Sequence, residues 1–276
     1  MDSVLKKITL EEIEIPGMPG IAAQVLALLE DEYCSIGKLE KVILQDQALT
    51  AGILRIANAP FYSTGKSVKT LSEAIMAVGL RNLLALVSII SLTHQLHGKQ
   101  IDPDLMHHAM AVSAASATLA RHAKVVTVEE ALVGGLLHDI GKTIFLASAP
   151  AQYRALKEKV NKERRPFIEV ENELLSFNHC LIGGMVAKKW RLPELYVHII
   201  ENHHNENAAE LKGARKITYE DMLCYIIRLS DKVILDAGAG IGRSTEKKAQ
   251  ELLDVFNIGE SIYVEIVKEI SAYCPK

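Results

Sequence analysis

Thr127-Val128-Glu129-Glu130-Ala131-Leu132-Val133-Gly134-Gly135-Leu136-Leu137-His138-Asp139-Ile140-Gly141-Lys142 is the stretch on which the fold reading turns. It opens on Thr-x-x-Glu, the capping-box form, in which a threonine and a glutamate three residues on satisfy free N–H groups at a helix start. An apolar run from Ala131 to Leu137 follows, and His138 and Asp139 come directly behind it. A carboxylate placed there needs a charge partner or several hydrogen-bond donors. Read as helix, neighbours 138 and 139 point about 100° apart, so both reach around an ion lying over one helix edge. Lys142, four residues on, returns to the face of His138. Its ammonium suits a phosphate oxygen or a salt bridge to a neighbouring acid.

The same punctuation recurs outward from this stretch. Thr70-x-x-Glu73 repeats the capping-box form, and Asp102-Pro103 sets an N-cap before a proline at the first helical position. Ile21, Val25, Leu28 and Leu29 follow a helical period, as do Ile36, Leu39, Val42 and Ile43. The alanine-rich run from Ala109 to Ala123 favours helix. Alternating strand-like runs of five or more residues are hard to find. The chain is expected to be all-α, with about ten to fourteen helices of ordinary length.

Composition narrows the function classes. The 276 residues are 49% hydrophobic and 24% charged with net charge -3, which argues against disorder and against a strongly basic nucleic-acid binder. Aromatics at 5% leave little for base stacking. The longest apolar candidate for a membrane span, Leu83 to Leu92, is too short against the ~20 residues a span requires. Lys6, Lys7, Glu11, Glu12 and Glu14 leave no room for an apolar signal core. Cys34, Cys180, Cys224 and Cys274 are scattered, as reduced, buried thiols would be. The expectation is a cytoplasmic protein with no nucleic-acid or membrane partner.

Three motifs fail on spacing or context. Ser63-Thr64-Gly65-Lys66-Ser67 imitates the end of a P-loop, but Pro60 stands where the first glycine belongs. Gly238-Ala239-Gly240-Ile241-Gly242 has G-x-G-x-G spacing and no βαβ context, so it reads as a connection between helices. The run Lys157 to Arg165 carries glutamates and reads as a solvated helix face.

A boundary is placed near His97 to Asp104, a polar stretch with a glycine. It divides an N-terminal helical half, 1–98, from a half, 99–276, that carries eight of the ten histidines. There His108, His138, Asp139, His179, the pair His203-His204 and Asp231 stand on or beside apolar helices. Imidazole and carboxylate together suit a mononuclear or dinuclear site for divalent metal, with a carboxylate able to bridge two ions.

In this order the motifs resemble a known family. Leu137-His138-Asp139-Ile140-Gly141-Lys142 is similar to the signature of HD-superfamily phosphohydrolases. Pro16-Gly17-Met18-Pro19, Gln45 to Thr50, Leu54-Arg55-Ile56-Ala57-Asn58, Ala74 to Gly79, Asn178-His179 and Trp190 to Glu194 narrow the match to HDOD domains, over roughly residues 10 to 235. Gln47 replaces a usual proline and Ala59 a usual serine. The resemblance implies an HD-domain-like bundle with an N-terminal helical subdomain, acting as a bacterial signal-transduction output and working through other signalling proteins.

By position, His108, His138, Asp139, His179, His203, His204 and Asp231 match the metal ligands of the related HD-GYP phosphodiesterases. Asp104 matches an extra acidic ligand of some relatives. No Gly-Tyr-Pro follows His204; Asn205 to Ala209 stand there instead. The resemblance also implies an alternative, a metal-dependent phosphohydrolase or phosphodiesterase acting on a phosphoester. One or two divalent ions (Fe, Mn, Ni, Zn or Mg) held at Asp139 would then activate water, with Lys142 stabilising charge on the phosphoryl oxygens.

Overall fold

The computed structural model describes residues 8–59, 67–96, 102–205, 217–243, 253–254, 256 and 258–271. The P-loop-like residues 63–66, boundary residues 97–101, residues 206–209 after the double histidine, and Cys274 lie outside them. Among the described residues there is no β-strand, and the expected all-α class holds. The α-helices, in chain order, are α1 Gly20–Leu29, α2 Ile36–Ile43, α3 Gln47–Ala57, α4 Leu71–Val78, α5 Leu80–Leu96, α6 Pro103–Ala123 and α7 Val128–Leu137. They continue as α8 Ile140–Ser148, α9 Pro150–Glu163, α10 Phe167–Leu174, α11 His179–Lys189, α12 Glu194–Asn202, α13 Tyr219–Asp236 and α14 Glu260–Ser271.

Local chemistry accounts for many of these ends. Thr70 accepts from the Glu73 N–H, and Glu73 answers by accepting from the Thr70 N–H, closing the box expected at α4. Asp102 caps α6 by accepting from the Asp104 N–H. At α7 the expected box is only half made. Thr127 accepts from the Glu130 N–H, but its own N–H donates to the Tyr219 hydroxyl oxygen at 3.0 Å. Tyr219 in turn donates to Glu130. A side chain 89 residues away thus completes a motif that looks local in sequence.

α5 runs through the middle of the N-terminal helices and packs on α1, α3, α4 and α7. It turns 110° from α4 at Gly79, whose φ of 83° is open to glycine and costly for other residues. No single described helix is long and apolar enough to cross a membrane; only the bent pair α4–α5 meets the length together, and most of α5 faces the core. In the second half α6 packs along α7 and α13, while α8 lies on α11 and α11 on α12.

One apolar core runs from Ile8 to Ile266, with Trp190, Tyr153 and Tyr196 wholly buried. Polar ties also join residues on either side of position 98. The Tyr196 hydroxyl donates to Asn82 Oδ1 at 2.6 Å, and Arg81 pairs with Glu130 at 3.2 Å. Residues 13–19 form an extended strap across the second half. Its carbonyls at Glu14, Ile15 and Pro16 accept from Ser148, Lys189 and Trp190. Cys180 and Cys224 are buried and Cys34 is partly so, all three as free thiols.

Candidate metal centre

The helical run through residue 138 is broken at the point where continuous helix was expected. α7 ends at Leu137, His138 caps its C-terminus, and Asp139 (φ -100°, ψ 17°) is the N-cap of α8. The break turns the Asp139 carboxylate into the space enclosed by α6, α7, α11, the end of α12 and α13. Lys142, one turn on, pairs with Asp139 Oδ2 at 2.7 Å, the salt bridge to a neighbouring acid that the sequence allowed. Its ammonium also lies 5.0 Å from the centre of the Phe167 ring.

The two oxygens of Asp139 face different histidines. Oδ1 stands 3.3 Å from His179 Nε2 and 3.6 Å from His203 Nε2. Oδ2 stands 3.3 Å from His138 Nε2 and 3.6 Å from His108 Nε2. On the far side His108 Nε2 lies 3.0 Å from Asp231 Oδ1. The seven residues singled out in the sequence therefore fall into two adjoining groups. Asp139, His179, His203 and His204 form one; His108, His138 and Asp231 form the other, and within each the ligand atoms lie within 4.8 Å of one another.

The opposite ring nitrogen of four histidines is tied down. Nδ1 of His108 meets the Ala239 carbonyl at 2.9 Å, that of His138 the Gly135 carbonyl at 2.7 Å, and that of His203 the Ile200 carbonyl at 3.0 Å. Nδ1 of His179 meets the Glu171 carboxylate. A carbonyl or carboxylate can only accept, so each Nδ1 carries a proton and each Nε2 points toward the Asp139 carboxylate, free to ligate a cation once it is unprotonated. That arrangement fixes tautomer and ring orientation in metal-binding histidines.

The buried polar atoms give the fit test. His138 Nε2, Asp139 Oδ1, His204 Nε2 and Asp231 Oδ1 are buried without a hydrogen-bond partner. Such orphaned groups cost free energy unless something pairs with them. Here four of them converge in one place and are the lone-pair atoms a cation takes, so the residues fit a nitrogen–oxygen metal site.

The electrostatics divide the histidines, favouring the neutral form at His204 and His138 and the protonated form at His179 and His108. Burial pushes His204 well below the usual imidazole range, helped by its neighbours His203 and His179, and so keeps it in the neutral form that ligates. Burial also lowers His138. Asp139 resists the upward push of burial, because His138 and Lys142 hold its carboxyl well below the usual range. Burial opposes charge on Lys142, but Asp139 and Asp231 keep its pKa raised. His179, buried beside Glu171, is raised to about 9.

Asp104 is not part of this cluster. It sits on the first turn of α6, 60% exposed, and pairs with Lys157 Nζ at 2.8 Å. Glu171 has no counterpart in the sequence reading, and two glycine positions named there shape the centre in ways the sequence did not show. Glu171, wholly buried on α10, accepts from both the ring and the backbone N–H of His179. Phe167, Val170 and Glu171 share the buried face of α10, so a carboxylate on an apolar face was the available signal. Gly141 lets α8 meet α11, since a Cβ there would sit 1.8 Å from the His179 carbonyl oxygen. The glycine-rich connection at 238–242 closes over His108; a Cβ on Gly240 would stand 2.7 Å from His108 Nδ1.

A family model described as HDOD domain matches residues 15–206. An uncharacterized protein of Treponema pallidum (strain Nichols) is 26% identical over 198 residues, which are 70% of this chain and 38% of that protein's length. A candidate signal-transduction protein from Marinobacter aquaeolei VT8 has a similar structure, with TM-score 0.70, 18% identity, and 98% of this chain and 62% of that one covered. A candidate metal-dependent phosphohydrolase from Shewanella amazonensis SB2B is also similar, with TM-score 0.63, 20% identity, and 95% and 93% covered.

Proposed function

Because the chain belongs to the HDOD domain family, we propose that it is a bacterial signal-transduction module built around a retained divalent-metal centre, acting through contacts with other signalling proteins. The observation that carries this reading is the convergence of orphaned, preoriented donor atoms around Asp139. His179, His203 and His204 with Asp139 Oδ1 would hold one cation. His108, His138 and Asp231 with Asp139 Oδ2 would hold a second. An imidazole-rich set favours Fe, Ni or Zn over Mg. Burial of nearly every ligand favours a resident ion that braces five helices, and with them the surface offered to a partner.

A second reading, a metal-dependent phosphohydrolase, is favoured by one observation. A cavity of about 320 Å3, lined by Asn178, Cys180, Glu201 and His204 among others, reaches the double-histidine side. A divalent ion there would supply Lewis acidity and a water acidified toward neutral pH. Asp139 would orient the centre, and Lys142, already held beside it, would meet phosphoryl charge.

The test is elemental analysis of the purified chain, followed by phosphomonoester and phosphodiester hydrolysis with Mn, Fe, Ni, Zn and Mg. Metal bound by the native chain and lost in Asp139→Ala, without turnover, is the expected result. Turnover that disappears in Asp139→Ala would establish the second reading instead. A native chain that takes up no metal would end both.

A further inference from the structure

A second cavity lies between α3 and α5 on one side and α6 to α9 on the other, with a volume of about 600 Å3. That falls in the usual range for small-molecule sites, about 300–1,000 Å3. Ile56, Ile89, Leu105, Leu132, Leu136 and Ile140 give it aliphatic walls, and the small side chains at Ala48, Gly52 and Ala109 leave the space open. Its described lining holds no Phe, Tyr or Trp, so no broad aromatic face is offered for a base or sugar to stack on.

Most polar groups on the wall are already engaged. Ser113 donates to the Leu132 carbonyl and Thr93 to the Ile89 carbonyl. Asp102 is neutralised by Lys157 at 2.6 Å. Asp139, at the inner end, is held by Lys142. Arg55 differs. It lines the cavity yet is exposed, which places it at the rim, and no carboxylate among the described residues pairs with it. The site is therefore an apolar throat with a cationic lip.

We propose that this cavity binds a single-chain anionic amphiphile, its hydrocarbon lying along the seam between α3–α5 and α6–α9 and its head group meeting Arg55. A carboxylate or a phosphate head shares that chemistry, since a guanidinium offers both a fork of N–H donors. The site is separate from the metal centre and touches it only through Asp139. A bound chain would contact helices on both sides of position 98, the place for a ligand that biases how they pack.

The test titrates the full-length protein with tetradecanoate, dodecyl phosphate and dodecyltrimethylammonium, each below its micelle concentration, by calorimetry. One anionic amphiphile per chain is expected, with the cationic one at least about tenfold weaker. Arg55→Glu should weaken both anions by about tenfold or more and leave the cation no weaker. Ala109→Phe, which fills the throat, should abolish binding. Ile56→Phe does the same from the opposite wall if Ala109→Phe fails to fold, with circular dichroism as the check. The stronger of the two anions identifies the head group. Equal affinity for anion and cation, binding unchanged by a filled throat, or no uptake of either anion would overturn the proposal.

Discussion

Glu171 accepts a hydrogen bond from Nδ1 of His179, and neither side chain has any exposed surface. A carboxylate so placed holds the ring with Nε2 toward Asp139 and raises its strength as a donor to metal. Glu171→Ala should weaken divalent-cation binding by about 10- to 100-fold, with Glu171→Gln intermediate. Competition with a calibrated chelator reads this directly. Unchanged affinity in a folded Glu171→Ala protein would reduce Glu171 to a packing residue.

The two donor groups can be separated by substitution. His204→Ala removes a donor from the group around His179, and Asp231→Ala removes one from the group around His108. If two cations bind, each variant should lose about one of them, while Asp139→Ala loses both, because its oxygens serve both sides. Metal-to-protein ratios after desalting decide the matter. The same ratio in all three variants would refute the assignment.

Gly141 should tolerate no side chain. A Cβ placed there would meet backbone, the His179 carbonyl oxygen at 1.8 Å, so α8 and α11 must separate. Gly141→Ala is expected to destabilise by about 3 kcal/mol or more, at the upper end for overpacking. Urea unfolding measures the loss. Metal affinity should fall with it, because His179 begins α11.

Tyr196→Phe deletes the hydroxyl that donates to Asn82 Oδ1 and leaves that buried oxygen without this donor. The expected cost is about 1–3 kcal/mol. A single unfolding transition at a lower urea midpoint is the outcome if the helices before and after position 98 unfold together. Early loss of the N-terminal helices alone would show that they do not.

What the sequence made legible was chemistry carried by a residue's own type. Histidines and acids interrupting apolar helices named all seven clustered donors, and Thr70 with Glu73 announced the start of α4 because both partners of that cap lie within one turn. What escaped was chemistry supplied by distant or backbone partners. The Thr127 cap is closed by Tyr219, and the His108 ring is held by the Ala239 carbonyl, an atom every residue type possesses. The break between α7 and α8 escaped because no proline marks it, and Asp139, a residue type common at caps and turns, reads in sequence as a ligand within continuous helix. It follows from the demands on Asp139, which binds Lys142 and faces four imidazoles. Asp104 shows the converse. One turn from His108 in sequence, it is drawn to Lys157 instead.

The strap at residues 13–19 has a consequence for biosynthesis. Its carbonyls at Ile15 and Pro16 are met by Lys189 and Trp190, both 174 residues later. A ribosome releasing the chain in sequence order therefore exposes the strap long before the donors that hold it exist. Contacts of such long sequence separation form late, after much loop-closure entropy has been spent. Residues 13–19 must stay undocked until the segment through Trp190 has been made, so seating them comes late in folding.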